Sequence, residues 1–195
     1  MGDILEAMKR VVIVHCWEGY RNYCWYPQTK KELEKEGYEV EIPEMPETVN
    51  PKLTGWLPKL GKTIKEPDEN LFLVGHSLGC ITIMRYLQNL NGNKKVGGVV
   101  FVAGFTDDLG YKELTNFFVD PIDLKAIKKR AKYFYAINSD DDPYVSLKYG
   151  EELKEKLGAK LIIRKNMRHF SGPIDDEESC TSLPEVTKSI LKMAK

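Results

Sequence analysis

Asn70-Leu71-Phe72-Leu73-Val74-Gly75-His76-Ser77-Leu78-Gly79-Cys80-Ile81-Thr82-Ile83-Met84-Arg85 is the stretch on which the reading of this chain turns. Its first half is a near-continuous apolar run, as expected of a strand covered on both faces. Its second half opens a helical pattern over residues 78–90 with Ile81, Met84 and Leu87 at helical spacing, and the turn Asn91-Gly92-Asn93 closes that helix. Gly75, Ser77 and Gly79 stand at the junction as G-x-S-x-G. A strand that becomes a helix within a residue or two leaves no room for side chains at the two flanks. The residue between them is held in strained backbone with its hydroxyl lifted clear of the sheet edge. The same turn aims the first helical N–H groups, beginning with Leu78, at charge developing on a carbonyl oxygen. Chance supplies the five-residue pattern in roughly one chain of this size in twenty, so the weight rests on the strand before it and the helix after it. On that context Ser77 is a candidate nucleophile.

The rest of the chain repeats the alternation. Strand-like runs occur at residues 10–15, 38–42, 70–75, 96–104, 132–139 and 159–165, with helical patterns at 25–36, 78–90, 146–157 and 183–194. Six β/α units in this order predict an α/β fold: an open, mostly parallel six-stranded sheet between two helical layers, in one domain over residues 1–195. Such sheets carry their sites at the carboxyl ends of the strands. The least regular tracts, 43–58, 105–122 and 170–184, are candidates for the loops that line such a site.

A serine hydroxyl needs a base, and the chain offers three histidines. His76 adjoins the serine and is directed away from it, towards a packing or hydrogen-bonding role. His15 ends the first strand and is a candidate for lining the site. His169 follows the last strand, where the order nucleophile, acid, histidine of α/β-hydrolases places the base. The orienting acid should follow the fifth strand, where Ser139-Asp140-Asp141-Asp142-Pro143 stands. Spacing alone leaves three aspartates open, with the others free to form a turn and cap the next helix.

At this point the chain resembles a family of small serine hydrolases, those related to retinoblastoma-binding protein nine and the bacterial YdeN-like proteins. The likeness rests on the turn after the first strand at residues 15–19, Lys31-Glu32-Leu33-Glu34-Lys35, Trp56-Leu57-Pro58, Gly75-His76-Ser77-Leu78-Gly79 and Met84-Arg85-Tyr86. It continues through Thr106-Asp107-Asp108-Leu109-Gly110, the Asp141-Asp142-Pro143 block and His169-Phe170. The family's motif puts the acid immediately before the proline, which falls on Asp142, with Ser77 as nucleophile and His169 as base. The resemblance implies an α/β-hydrolase fold without a separate cap domain and esterase-like activity on small acyl substrates; some members are described through protein binding instead. The same triad also serves thioesterases and amidases. A second oxyanion donor is implied near Trp17. Two departures stand out: Cys16 where related chains usually carry glycine, and Arg168, a permanent cation, where they tend to have glycine before the histidine. The cation is expected to disfavour the imidazolium or to serve an acidic substrate group.

Composition narrows the remainder. Among 195 residues, 29 basic and 29 acidic side chains cancel, which gives no reason to expect nucleic acid or an anionic membrane as partner. The four cysteines show no zinc-type spacing or C-x-x-C pair, and no Gly-rich phosphate loop, EF-hand or His/Cys cluster occurs, so no metal is expected; acyl hydrolysis on a serine calls for no cofactor. Residues 1–9 lack the apolar run of a signal peptide, Met1-Gly2 lacks the Ser or Thr of an acylation site, and no run approaches a membrane span. A reduced, cytoplasmic protein acting on a small acyl compound is the expectation. Cys16, Tyr144 and Phe117, with His15, are the candidate substrate-lining residues, and Cys80 should be core. The acidic run Asp175-Asp176-Glu177-Glu178 reads as a solvated loop. A protein-binding module that keeps the fold and a vestigial triad is the rival reading; against its best-known form, no L-x-C-x-E motif occurs.

Overall fold

The computed structural model describes residues 8–195, and the expectations for residues 1–7 lie outside them. Six strands, β1 (Arg10–Val14), β2 (Glu39–Glu41), β3 (Leu71–His76), β4 (Val96–Val102), β5 (Ala131–Ser139) and β6 (Lys160–Arg164), form one sheet. Their order is β2-β1-β3-β4-β5-β6, with every pairing parallel. The burial of each strand follows from its place. β3 and β4 are buried along their whole length, whereas β2 alternates exposed, buried, exposed and β6 is partly open at the far edge.

Helices cover both faces. α1 (Tyr26–Lys35) and α6 (Pro184–Met193) pack together on one side; α2 (Leu53–Ile64), α3 (Leu78–Gln88), α4 (Leu124–Ile127) and α5 (Leu147–Leu157) pack in sequence on the other. The core lies in these two seams, with Trp25 and Tyr26 fully buried in the first and Trp56, Leu60 and Ile64 in the second. From β1 the chain moves outward to β2, and from β3 it moves the opposite way to β4. The strand order therefore reverses between β1 and β3, and a crevice opens at their carboxyl ends.

α2 corrects the sequence reading, which left 43–58 irregular. Gly55, Pro58 and Gly61 are helix-breaking residues, but Trp56, Leu60 and Ile64 recur at the helical period and are buried. Pro58 and Thr54 are both exposed. The Thr54 carbonyl that loses its donor to the proline therefore faces water, which removes most of the usual penalty. In the tract 105–122, a single 3-10 turn (Lys112–Phe117) is tied down by the buried Arg85 of α3. Its guanidinium donates to the carbonyls of Phe117 at 2.8 Å and Pro121 at 3.4 Å, and to that of Asp120. Among the described residues no helix is long and apolar enough to cross a membrane.

Candidate active site

The junction of β3 and α3 is the tight elbow that the glycines require. Ser77 has φ 52° and ψ −117°, outside the regions open to most side chains. It is pinned there by its own N–H, which donates to the Val102 carbonyl at 2.9 Å, and by its carbonyl, which accepts from the Cys80 N–H at 2.8 Å. A Cβ on Gly79 would lie 2.1 Å from the Val14 carbonyl oxygen, and one on Gly75 would lie 2.6 Å from the Cys80 nitrogen. Gly79 must lack a side chain for α3 to pass so close beside β1, and Gly75 for α3 to turn so sharply out of β3. The Ser77 hydroxyl hydrogen-bonds to no other described residue and opens onto a cavity of about 240 Å³.

His169 lines the same cavity from the loop after β6. Its Nδ1–H donates to Asp142, at 2.9 Å to Oδ2 and 3.1 Å to Oδ1, which leaves Nε2 as the basic nitrogen. The Asp142 carboxyl is in turn fixed by the N–H groups of Tyr144 at 2.9 Å and Val145 at 3.0 Å, both on its Oδ1. The imidazole and the carboxyl are 5% and 1% exposed, so their pair works in a medium of low polarity. Burial draws the imidazole down; the hydrogen bond and charge of Asp142, and then the charges of Asp175 and Glu177, outweigh it and hold His169 above the ordinary histidine value. Asp140 and Asp141 serve the loop instead. Asp140 accepts from the Asn166 N–H, and Asp141 from the Ser139 hydroxyl and the Arg168 N–H.

Leu78 and Trp17 line the same cavity. Leu78 begins α3 and has no intrahelical acceptor. In the turn after β1, the N–H of Cys16 is taken by the Tyr26 hydroxyl, that of Glu18 by the Thr48 carbonyl and that of Gly19 by the Cys16 carbonyl. Among the described residues, that leaves the Trp17 N–H without an acceptor.

Cys16, Trp17 and Tyr144 line the cavity, and His15 and Phe117 do not. His15 is fully buried, its Nδ1–H donating to the Cys16 carbonyl at 2.8 Å and its Nε2 accepting from the Met45 N–H at 3.1 Å. Phe117 is also fully buried and packs edge-on against Trp56, so it belongs to the core. Burial pushes the Cys16 thiol up to about 12, which keeps it protonated, and Cys80 is core, donating to the Val102 carbonyl. Arg168 differs from its expectation as well. Its Nε lies 3.5 Å from Glu177 and it does not line the cavity, so the carboxylates govern His169. The apolar walls come from Phe105, Leu109, Leu114 and Ile174, with Glu18 and Asp175 the charged groups among them. The acidic run, read as solvated, in fact sends Asp175 to the cavity and buries Glu177 at 8% exposure. Nothing in its composition signalled this; only its position just after His169 could have.

An all-parallel sheet, a strained serine elbow and a loop histidine on a buried aspartate define an α/β-hydrolase-fold protein. The serine hydrolase family profile matches residues 11–191, and the chain belongs to that family. It is 33% identical over 179 residues to YdeN of Bacillus subtilis (strain 168), covering 91% of this chain and 92% of that one. It is 30% identical over 173 residues to the serine hydrolase RBBP9 of Rattus norvegicus, covering 87% and 88%. The crystal structure of the B. subtilis ydeN gene product superposes with a TM-score of 0.88 at 31% identity, over 96% of this chain and 99% of that one. Est1E from Butyrivibrio proteoclasticus shares the fold, with a TM-score of 0.69 at 13% identity over 97% and 90%.

Proposed function

We propose that this serine hydrolase cleaves small acyl esters through an acyl-enzyme on Ser77. The observation that carries the reading is the strained Ser77 hydroxyl opening onto the cavity that His169 also lines, with His169 Nδ1 2.9 Å from Asp142. Ser77 Oγ attacks the ester carbonyl while its proton passes to His169 Nε2. Asp142 keeps the imidazole in the Nδ1–H tautomer and stabilises the imidazolium. The oxyanion is held by the N–H groups of Leu78 and Trp17. As the intermediate collapses, the alkoxide leaves with the proton from His169. Water then attacks the acyl group, gives a proton to His169 and releases the carboxylic acid, and Ser77 Oγ recovers its hydrogen.

The cavity supports small, uncharged acyl groups. At about 240 Å³ it is below the usual range for drug-sized ligands, its walls are largely apolar, and no lysine or arginine is among its lining residues. Ser77→Ala should leave the fold intact and lower turnover of a short-chain p-nitrophenyl ester by at least ~100-fold. A fluorophosphonate should label the wild type at Ser77 alone. Equal turnover in variant and wild type would remove the proposal. Persistent silence of the wild type towards ester and fluorophosphonate would leave a binding protein in its place.

A further inference from the structure

His169 is carried by main chain that is costly to hold. Asn166, Arg168 and Phe170 have φ of 54°, 45° and 56°, the left-handed region that side chains with a Cβ avoid, asparagine least of them. Such backbone persists only where its surroundings over-determine it. At His169 both peptide groups are engaged by buried ionisable side chains. Its N–H donates to Glu177 Oε1 at 2.9 Å, and its carbonyl accepts from His76 Nε2–H at 2.8 Å.

Neither partner is incidental. The Glu177 side chain is 3% exposed and also accepts from the Ser171 N–H at 3.4 Å, with the Arg168 guanidinium 3.5 Å away on its outer side. Burying a carboxylate costs several kcal/mol that an apolar side chain would not, so its place against the histidine loop calls for a role. His76 is fully buried, and its Nδ1 accepts from the Tyr26 hydroxyl at 2.7 Å. The Tyr26 oxygen accepts from the Cys16 N–H at 3.1 Å. One run of hydrogen bonds thus joins the turn after β1, the residue before Ser77 and the carbonyl of His169.

We propose that Glu177 and His76 are positioning residues, a two-sided clamp on the main chain of His169 that holds its imidazole on Asp142 and in the cavity it shares with Ser77, with Tyr26 fixing His76 and the turn after β1 together. The clamp rests on the reading of Ser77, His169 and Asp142 given above. It differs from plain structural support in what it controls. Loss of the clamp misplaces the base, and a misplacement of about 1 Å costs on the order of 100-fold in rate while leaving substrate binding largely alone.

The test compares Glu177→Leu, Glu177→Gln and Tyr26→Phe with wild type and Ser77→Ala, with kcat expressed per site titrated to completion by a fluorophosphonate. Glu177→Leu should lower kcat per site at least ~10-fold with KM within about twofold, and Glu177→Gln, which keeps a carbonyl acceptor, should recover to within about threefold. Tyr26→Phe removes one hydroxyl from an otherwise unchanged core and should lower kcat several-fold, which keeps the test open if Glu177→Leu does not fold. The low-field proton resonance of His169 Nδ1–H should broaden or vanish in Glu177→Leu and return in Glu177→Gln. A merely structural role would lower the melting temperature and the number of titratable sites, and leave kcat per site and the resonance where they were. That result in the folded variants overturns the clamp, and with Ser77→Ala inactive it overturns the clamp alone. Full activity in Ser77→Ala removes the underlying reading and the clamp with it.

Discussion

Three donors converge on Asp142, and the oxygen each lies nearest decides what a substitution there does. The N–H groups of Tyr144 and Val145 both need an acceptor on one side of the carboxyl, and the His169 Nδ1–H needs one on the other. In Asp142→Asn the amide oxygen satisfies the two backbone donors, so the NH2 faces Nδ1. The imidazole must then accept at Nδ1 and carry its proton at Nε2, the tautomer that cannot act as the proposed base. A fall in kcat of about 10³–10⁴-fold is expected. The pH profile supplies a second check. A base must be unprotonated, so kcat/KM in the wild type should fall as pH drops through the His169 value, which stands above the ordinary ~6.5. Without the carboxylate the burial that lowers the imidazole is less opposed, and the acid limb of the residual activity should move to lower pH. Rates measured between about pH 5 and pH 9 decide it; a limb in the same place would show that Asp142 does not govern His169. This pairing was only partly legible in the sequence. Chain order pointed to His169, but three consecutive aspartates look alike without the loop that turns two of them to Asn166, Ser139 and Arg168.

The β3–α3 elbow makes a demand at the level of elements. The first turn of α3 lies so close to β1 that a methyl on Gly79 would meet the Val14 carbonyl carbon at 2.8 Å as well as its oxygen, with the His15 carbonyl oxygen at 2.9 Å. These are backbone atoms at the carboxyl end of β1, where Val14 is paired with Gly75 of β3, and they cannot yield as a side chain does. Gly79→Ala should therefore cost more than the small gain in helix propensity returns, about 2–4 kcal/mol in urea unfolding, or give insoluble protein. A variant as stable as wild type would mean that α3 can slide away from β1 without loss. The elements themselves were legible: all six strands and α1, α3, α5 and α6 fall within a few residues of their apolar patterns. What escaped were elements whose composition argues against them. α2 contains Pro58 and two glycines, and only burial of Trp56, Leu60 and Ile64 supports it against those breakers. The 3-10 turn Lys112–Phe117 owes its place to Arg85, thirty-two residues from its carbonyl partner at Phe117, a contact that no local pattern encodes.

Across the whole molecule, the three histidines respond to pH in two opposite senses. His15 and His76 are fully buried with both ring nitrogens engaged, one as donor and one as acceptor. Protonation would turn the accepting nitrogen into a second donor facing the Met45 N–H or the Tyr26 hydroxyl, and would bury a charge. Burial lowers both, and in His76, with the nearby His169 adding to it, the value falls to about 3. The unfolded chain takes up these protons near pH ~6.5 and the folded chain refuses them, so stability is present above that pH and is lost as pH falls. His169 is raised, so its contribution is fully present below ~6.5 and is lost as pH rises through its folded value. Stability should therefore peak near neutrality and decline on the acid side before most carboxylates titrate. From His76 alone the slope is about 1.4 kcal/mol per pH unit, so urea unfolding at about pH 5 should lie at least ~1 kcal/mol below that at about pH 6. His76→Asn lowers the whole curve and also flattens its acid slope, because the group that takes up the proton on unfolding is gone. The slope, not the height, is the measurement that counts. A wild-type midpoint level between those two pH values, or an unaltered slope in His76→Asn, would mean that His76 accepts its proton in the folded protein and that the hydrogen bonds drawn through it to Tyr26 and His169 do not hold it neutral.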